Sequence, residues 1–395
     1  MKARTRSARG PLRVMHVVQG MRQGGAETVV VEHARHAGPN IEVLVCALNE
    51  DGPALDAAAG WGARTFALKK SGRHAEGLRR LTALLRAERV DVVNGHNPTG
   101  ALYGTLAARW AGVPVSIRTE HTIHTSGRHS PFYPLLEWVG TALATHVVCV
   151  SETVRDSHVR RMRWAADRFV TVANGVSADP PARPREALRA ALGLAPDHFA
   201  ILSVGGLRPP KAYHVLLEAF ATVSREHTGA RLVMAGDGSL RQALLDRSAA
   251  LGLSPLVQWL GERADVGDLL EAADLFALSS EREGLPMALL EAMGRGRAAV
   301  VTRVGGMGEA VIEGKTGHLV PPHDPEALAR AMIGLIRDPA RLAALGRAAR
   351  ARWSAHFTAE RMVRETEGLY RAALARRGLV FGAASPELGR VHAAP

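Results

Sequence analysis

Lysine is scarce in this chain: five residues stand against 45 arginines, with only two cysteines and 5% aromatic content. An arginine excess spread over the whole chain reads as compositional bias, so the position of a single lysine, Lys211 above all, says more than the total charge. Cys46 and Cys149 each lie in a strand-like apolar run, and neither has a second cysteine at metal-ligand or redox spacing. That excludes a disulfide framework and predicts two buried free thiols in a reducing compartment. No uninterrupted apolar run reaches the roughly 18 residues that a membrane-spanning helix needs. The basic opening MKARTRSARGP leads into a β-like segment without an apolar stretch, which argues against a secretory signal and for a cytoplasmic protein. Asp-x-Asp, Gly-x-x-x-x-Gly-Lys-Ser/Thr, Gly-x-Ser-x-Gly and His-Glu-x-x-His are all missing, so metal-held diphosphate, P-loop, serine hydrolase and zincin chemistries have no support.

What is present is an ordinary globular composition, 47% hydrophobic and 22% charged over 395 residues, enough for two domains with separate cores. Short β-branched runs alternate with longer Ala/Leu/Arg stretches of helical period, the pattern of parallel sheets covered by helices on both faces. Strands are predicted near 12–18, 41–47, 64–68, 90–94, 114–118, 145–150 and 169–173, then near 199–204, 230–235, 256–260, 274–278, 298–303 and 317–320. The expected organisation is a basic tail (1–11), an N-terminal Rossmann-like domain (12–176), a Pro/Gly-rich linker (177–190), a C-terminal Rossmann-like domain (191–378) and a flexible tail (379–395). One helix-like stretch is predicted over about 340–377, packing back toward the N-terminal domain. Two doubly wound domains leave a cleft, and ligands in such sheets bind at the carboxyl ends of the strands. The net charge of +12 is unevenly placed: residues 1–190 carry 26 basic against 16 acidic side chains, and residues 191–395 carry 24 against 22. The N-terminal half therefore suits an anionic acceptor or an anionic membrane surface.

Glu283-Gly-Leu-Pro-Met-Ala-Leu-Leu-Glu291 places two carboxylates eight residues apart across a loop-to-helix junction. Pro286 suits the first helical position, because its φ is fixed and its missing N–H is not needed there. Leu285 is a poor N-cap, so the first-turn amides around Gly284, Leu285, Pro286 and Met287 are open to an anion. At about 1.5 Å rise per residue the two carboxylates stand on the order of 12 Å apart, the reach of two ends of one ligand. That suits a nucleotide sugar: Glu283 on sugar hydroxyls, Glu291 on ribose, the helix end on diphosphate. Three glycine-rich turns follow strands: Gly24-Gly25, Gly205-Gly206 with Arg208 and Lys211 beyond, and Gly305-Gly306-Met-Gly308. Cations beside a flexible backbone are what diphosphate neutralisation requires. His121 and His96 both sit at predicted strand ends facing the cleft, and Gly261 closes a strand where backbone groups could read a base edge.

Taken in order, Gly24-Gly-Ala-Glu27, His96-Asn-Pro98, His121, Val150-Ser-Glu152, Asn174-Gly-Val176, the Gly205 to Lys211 loop, Gly236-Asp-Gly238, the Glu283/Glu291 pair and Gly305-Gly306 resemble the retaining glycosyltransferases of family 4. The resemblance implies the GT-B fold, two Rossmann-like domains facing across a cleft. It implies a nucleoside diphosphate sugar as donor, no cofactor and no metal. His121, Lys211, Glu283 and Arg208 would be catalytic; Gly24, Gly25, His96, Gly205, Gly206, Gly261, Gly284, Leu285, Pro286, Met287 and Glu291 would bind substrate. The acceptor would be a glycan or lipid-linked precursor of envelope or exopolysaccharide synthesis. Peripheral contact with anionic membrane is expected, and no nucleic acid. One position departs from the pattern: the family's usual arginine after the first glycine is Gly206 here, with Arg208 two residues later. A UDP-sugar epimerase on the same fold and a non-catalytic basic binding protein are the alternatives at this stage.

Overall fold

The computed structural model describes residues 10–22, 24–70, 74–123 and 133–381. All thirteen expected strands form. The first seven are β1 (Leu12–Gly20), β2 (Ile41–Glu50), β3 (Arg64–Ala67), β4 (Val92–His96), β5 (Val115–Glu120), β6 (His146–Cys149) and β7 (Phe169–Thr171). They make one parallel sheet in the order β3-β2-β1-β4-β5-β6-β7. β8 (Phe199–Val204), β9 (Ala230–Ala235), β10 (Val257–Gly261), β11 (Leu275–Leu278), β12 (Ala298–Thr302) and β13 (His318–Val320) make a second, ordered β10-β9-β8-β11-β12-β13. Strand order reverses between β1 and β4 and again between β8 and β11, which are the two crevices where such sheets take ligands. Helices cover both faces, so the strands read as continuous apolar runs, and two buried clusters on the faces of the second sheet include Phe276 and Phe220. Cys46 and Cys149 are buried and free, and burial pushes the Cys46 thiol up to about 12.

Four expectations need correction. The helix after Glu283 runs Met287–Gly294, with Pro286 (φ −70°, ψ 127°) as its N-cap, one place earlier than its predicted role as first helical residue. The predicted linker holds a helix, Arg185–Ala191, because Arg185 and Arg189 both bind Asp274 of the second domain (2.5 and 3.1 Å). The single terminal stretch is two helices, Pro339–His356 and Ala359–Ala375. Thr358 accepts the Arg361 N–H at the start of the second, and it bridges to Val176 in parallel pairing. Leu379 and Phe381 pack against the core, where the start of a flexible tail was expected; residues 1–9 and 382–395 lie outside the described residues. The last helix touches the first domain through Tyr370, whose hydroxyl accepts from Asn94 Nδ2 at 2.8 Å, and Glu367, which accepts the Gly38 N–H at 2.8 Å.

β5 runs two residues past its predicted end because its polar residues are satisfied inside the protein. Arg118, 3% exposed, binds Glu120 at 2.6 Å and donates to the Glu137 carbonyl and the Thr141 hydroxyl. The strand thereby delivers His121 to the cleft.

Candidate active site

The loop after β8 is held by the segment after β11. Ser279 Oγ donates to the carbonyls of Lys211 and Ala212 (3.1 and 3.0 Å), and the Glu281 N–H donates to the Pro210 carbonyl at 2.9 Å. The chain between them makes a short 3-10 turn, Pro209–Lys211, before the helix Tyr213–Glu226. That turn brings Lys211 Nζ to 2.6 Å from Glu283 Oε1, an oxygen that also accepts from Ser280 Oγ at 2.7 Å. At Gly205 a Cβ would stand 2.8 Å from the Tyr213 hydroxyl and 3.2 Å from Lys211 Cε, so glycine is what lets the lysine stem lie against the loop. Gly206 is different. The nearest atom to a Cβ there would be Arg208 Nε at 3.6 Å. The Arg208 side chain therefore folds over the place where a side chain at position 206 would start.

No side chain caps the helix Met287–Gly294, so its first amides and the positive end of its dipole are left open four residues after Glu283 in the chain. Leu285 is buried in the core, and its carbonyl accepts from Asn174 Nδ2 at 2.8 Å, so only its backbone is in play for a ligand. Glu291 sits inside the helix, where burial first and the nearby Glu32 second push its carboxyl up to about 7. Gly261, at the end of β10, uses its carbonyl to accept the Gly236 N–H at 2.7 Å, which ties that strand end to the turn after β9.

The other wall comes from the first sheet. Gly24 precedes the helix Gly25–Arg35 with no side-chain cap, and the Glu27 carboxylate turns back over it. Burial raises the Glu27 carboxyl, and Arg208 opposes that rise from across the cleft. A Cβ at Gly25 would stand 3.5 Å from Met287 Cγ, so the two glycine-flanked helix starts face each other. Beside them runs a row of imidazoles. His16 Nδ1 and His96 Nε2 are 2.9 Å apart, and His96 Nδ1 and His121 Nε2 are 3.0 Å apart. The His33 ring lies 4.7 Å from that of His16. Desolvation holds all four neutral: His16 and His96 lie well below the usual histidine value, His33 falls to about 3 and His121 to about 4.

The two walls touch. A Cβ at Gly284 would overlap the His121 carbonyl oxygen, and one at Gly305 (φ +53°) would overlap that of Glu283. The Gly306 N–H donates to the Gly284 carbonyl. From the same loop Glu309 reaches the first domain, where its carboxylate accepts from the N–H groups of Glu152 and Thr153 (2.9 and 2.8 Å) and from Thr153 Oγ1 (2.7 Å).

Lys211, Glu283, the backbone of Gly284 to Met287 (with Pro286 offering no N–H), Gly205, Arg208, Gly24, Gly25 and His121 thus converge on one cleft. His96 is 1% exposed and holds His16 and His121 with its two ring nitrogens, so it stands behind His121 and not on the open surface of the cleft. Sequence reading missed Ser280, Glu32, His16, His33 and the cross-domain use of Glu309. Only Ser280, three residues before Glu283, had a local signal.

Two family profiles match the chain in tandem, "Glycosyltransferase Family 4" over residues 23–180 and "Glycosyl transferases group 1" over 184–352. A D-inositol 3-phosphate glycosyltransferase of Thermobispora bispora is 33% identical over 326 residues, covering 75% of this chain and 74% of that protein. A UDP-Gal:alpha-D-GlcNAc-diphosphoundecaprenol alpha-1,3-galactosyltransferase of Escherichia coli is 27% identical over 268 residues, 65% of this chain and 69% of the relative. Among solved structures, Anabaena HepE in complex with UDP-glucose superposes with a TM-score of 0.79 at 23% identity, covering 91% of this chain and all (100%) of that one.

Proposed function

The chain belongs to the family 4, group 1 glycosyltransferases with the GT-B fold, and from that premise we propose that it moves a hexose from a nucleoside diphosphate sugar to a lipid-linked or polysaccharide acceptor, with retention and without a metal ion. One observation carries the reading: Lys211, Glu283 and the uncapped start of Met287–Gly294 lie together against His121 of the opposite domain. Departing diphosphate needs positive charge where its negative charge develops. Lys211, Arg208 and the helix amides supply it from three directions. Glu283 keeps one oxygen on Lys211 and Ser280 and offers the other to sugar hydroxyls, while Glu291 takes the ribose. His121, neutral at pH 7, donates to a sugar hydroxyl from the facing wall. The resemblance to retaining family 4 enzymes implies that the acceptor attacks on the face that the diphosphate leaves, and that the leaving phosphate takes the acceptor proton. A relative named as acting on a diphosphoundecaprenol-linked sugar supports the lipid-linked acceptor, and structural neighbours solved with UDP and UDP-glucose support the donor class.

A thermal-shift panel of UDP-, GDP-, ADP- and dTDP-sugars tests the donor, and at least one is expected to raise the unfolding midpoint. No shift across the panel would sink the proposal. NMR of the product anomer tests retention, and an inverted anomer would overturn the stereochemical part alone.

A further inference from the structure

The helix Tyr133–Leu143 is built inside out. Its inward stripe is Glu137, Gly140, Thr141 and Ala144, small or polar, whereas Leu135, Leu136, Trp138 and Leu143 are turned to solvent at 57%, 43%, 50% and 39% exposure. A surface helix ordinarily does the reverse. The cause is the buried Arg118, whose guanidinium donates to the Glu137 carbonyl at 2.9 Å and to Thr141 Oγ1 at 2.7 Å, while Glu137 Oε1 meets His158 Nδ1 at 3.3 Å. Turning the leucines inward would strand those charges in the core.

The outward face does not end with the helix. Trp164, 47% exposed, lies on the following 3-10 turn Arg163–Arg168, and its ring centroid is 5.3 Å from that of Trp138. Arg168 clamps turn to helix by donating to the carbonyls of Thr141, Ala142 and Ala144 (3.1, 2.6 and 3.0 Å). Beside Trp164 stand Arg160, Arg161 and Arg163, all exposed. The acids of this stretch are Glu152, Asp156 and Asp167, of which Glu152 is paired with Arg155 at 3.1 Å.

We propose that this face, Leu135, Leu136, Trp138, Leu143 and Trp164 with the arginines at 160, 161 and 163, seats the enzyme on the interfacial layer of a bilayer carrying anionic lipid. Leucine and tryptophan enter the headgroup boundary and arginines meet the anionic surface, the division of labour of an in-plane amphipathic element. Tryptophan suits that depth because its ring is apolar and its N–H needs a wet partner. The inference deepens the lipid-linked-acceptor reading and rests on it. Among the described residues no helix is long and apolar enough to cross a membrane, so a membrane-held acceptor has to be met at the surface. The helix ends just before β6 begins, so its other end lies toward the carboxyl ends of the strands, on the cleft side of the first sheet, where an acceptor headgroup would enter.

The test is flotation of the full chain with vesicles of phosphatidylcholine alone, and of phosphatidylcholine with about one third phosphatidylglycerol, at low and moderate salt. Binding is expected to the anionic vesicles and to weaken as salt rises. Trp138→Ser with Trp164→Ser, and separately Arg160→Glu with Arg161→Glu and Arg163→Glu, should each lower partitioning about tenfold or more, with donor-induced thermal shifts unchanged. Failure of the wild type to float, or unchanged binding by both variants, overturns the proposal. So does conversion of a dimer to a monomer by the tryptophan variant with vesicle binding intact, which would assign the face to a second copy. Vesicle binding without any donor shift would instead strike at the transferase reading.

Discussion

Position 206 is where a single residue departs from its family and where the structure supplies a reason. A glycine there removes an arginine stem, and Arg208, two residues on, lays its Nε within 3.6 Å of the space that stem would have used. Whether that guanidinium does the work of the expected arginine is what substitution at the two positions tests. Removing it should cost transition-state charge stabilisation of roughly 2–4 kcal/mol, about 100- to 1000-fold in kcat. Arg208→Ala is therefore expected to lose activity to that extent, and Gly206→Arg alone to gain nothing, because two arginine stems compete for one place. The double change Gly206→Arg/Arg208→Ala should recover most of the loss. Steady-state turnover with saturating donor reads all three, and a double variant as poor as Arg208→Ala would show that the two positions are not equivalent. The offset was legible in the sequence; the closeness of the Arg208 side chain to position 206 was not, because it depends on where the 3-10 turn Pro209–Lys211 carries the chain.

The elements set up a second property that no residue shows alone. β1, β4 and β5 are neighbours, with His16 registered to Asn94 and His96 to Thr119, so histidines far apart in sequence form one hydrogen-bonded row. Burial lowers the pKa of His16, His33, His96 and His121, and the native state holds them neutral. In the unfolded chain each takes up a proton as pH falls below 6.5. The unfolded state then binds more protons, so stability is full above that value and declines as pH drops below it, by up to about 1.4 kcal/mol per pH unit for each histidine. Urea unfolding is expected to show a steep loss between about pH 6.5 and 5.5, earlier than carboxylate titration would give. His33→Gln should flatten that slope by about one fifth to one quarter, since burial lowers His146 as well as the four of the row; an unaltered slope would place the acid sensitivity elsewhere. Periodicity located these strands to within a residue or two, since strands buried on both faces read as apolar runs. It ended β5 at 118 because Glu120 reads as a surface residue when its pairing with Arg118 is out of sight.

Over the whole molecule, one side chain spans the cleft in a way that belongs to the closed arrangement of the domains. Glu309 caps the amides of Glu152 and Thr153 from the facing domain. An N-cap deletion costs about 1 kcal/mol, and here the loss falls on the contact between domains. Glu309→Ala is expected to raise the radius of gyration seen by small-angle scattering while each sheet keeps its core. An unchanged radius would mean that the Gly284–His121 and Asn174–Leu285 contacts close the cleft unaided.

Composition, strand rhythm and the ordered glycine, histidine and glutamate motifs determined by themselves the family and its architecture of two Rossmann-like domains with parallel sheets. These are local or periodic signals, written by burial on both faces of a strand and by the backbone geometry of turns. Tertiary structure alone decided that Lys211 rests on Glu283, that His96 is buried behind His121, that Arg208 covers Gly206, and that one helix of the first domain turns its leucines and tryptophan outward. Each of those depends on a partner dozens of residues away or on a displaced turn, and the energy of burying a charge is set by what stands opposite it, which sequence spacing does not record.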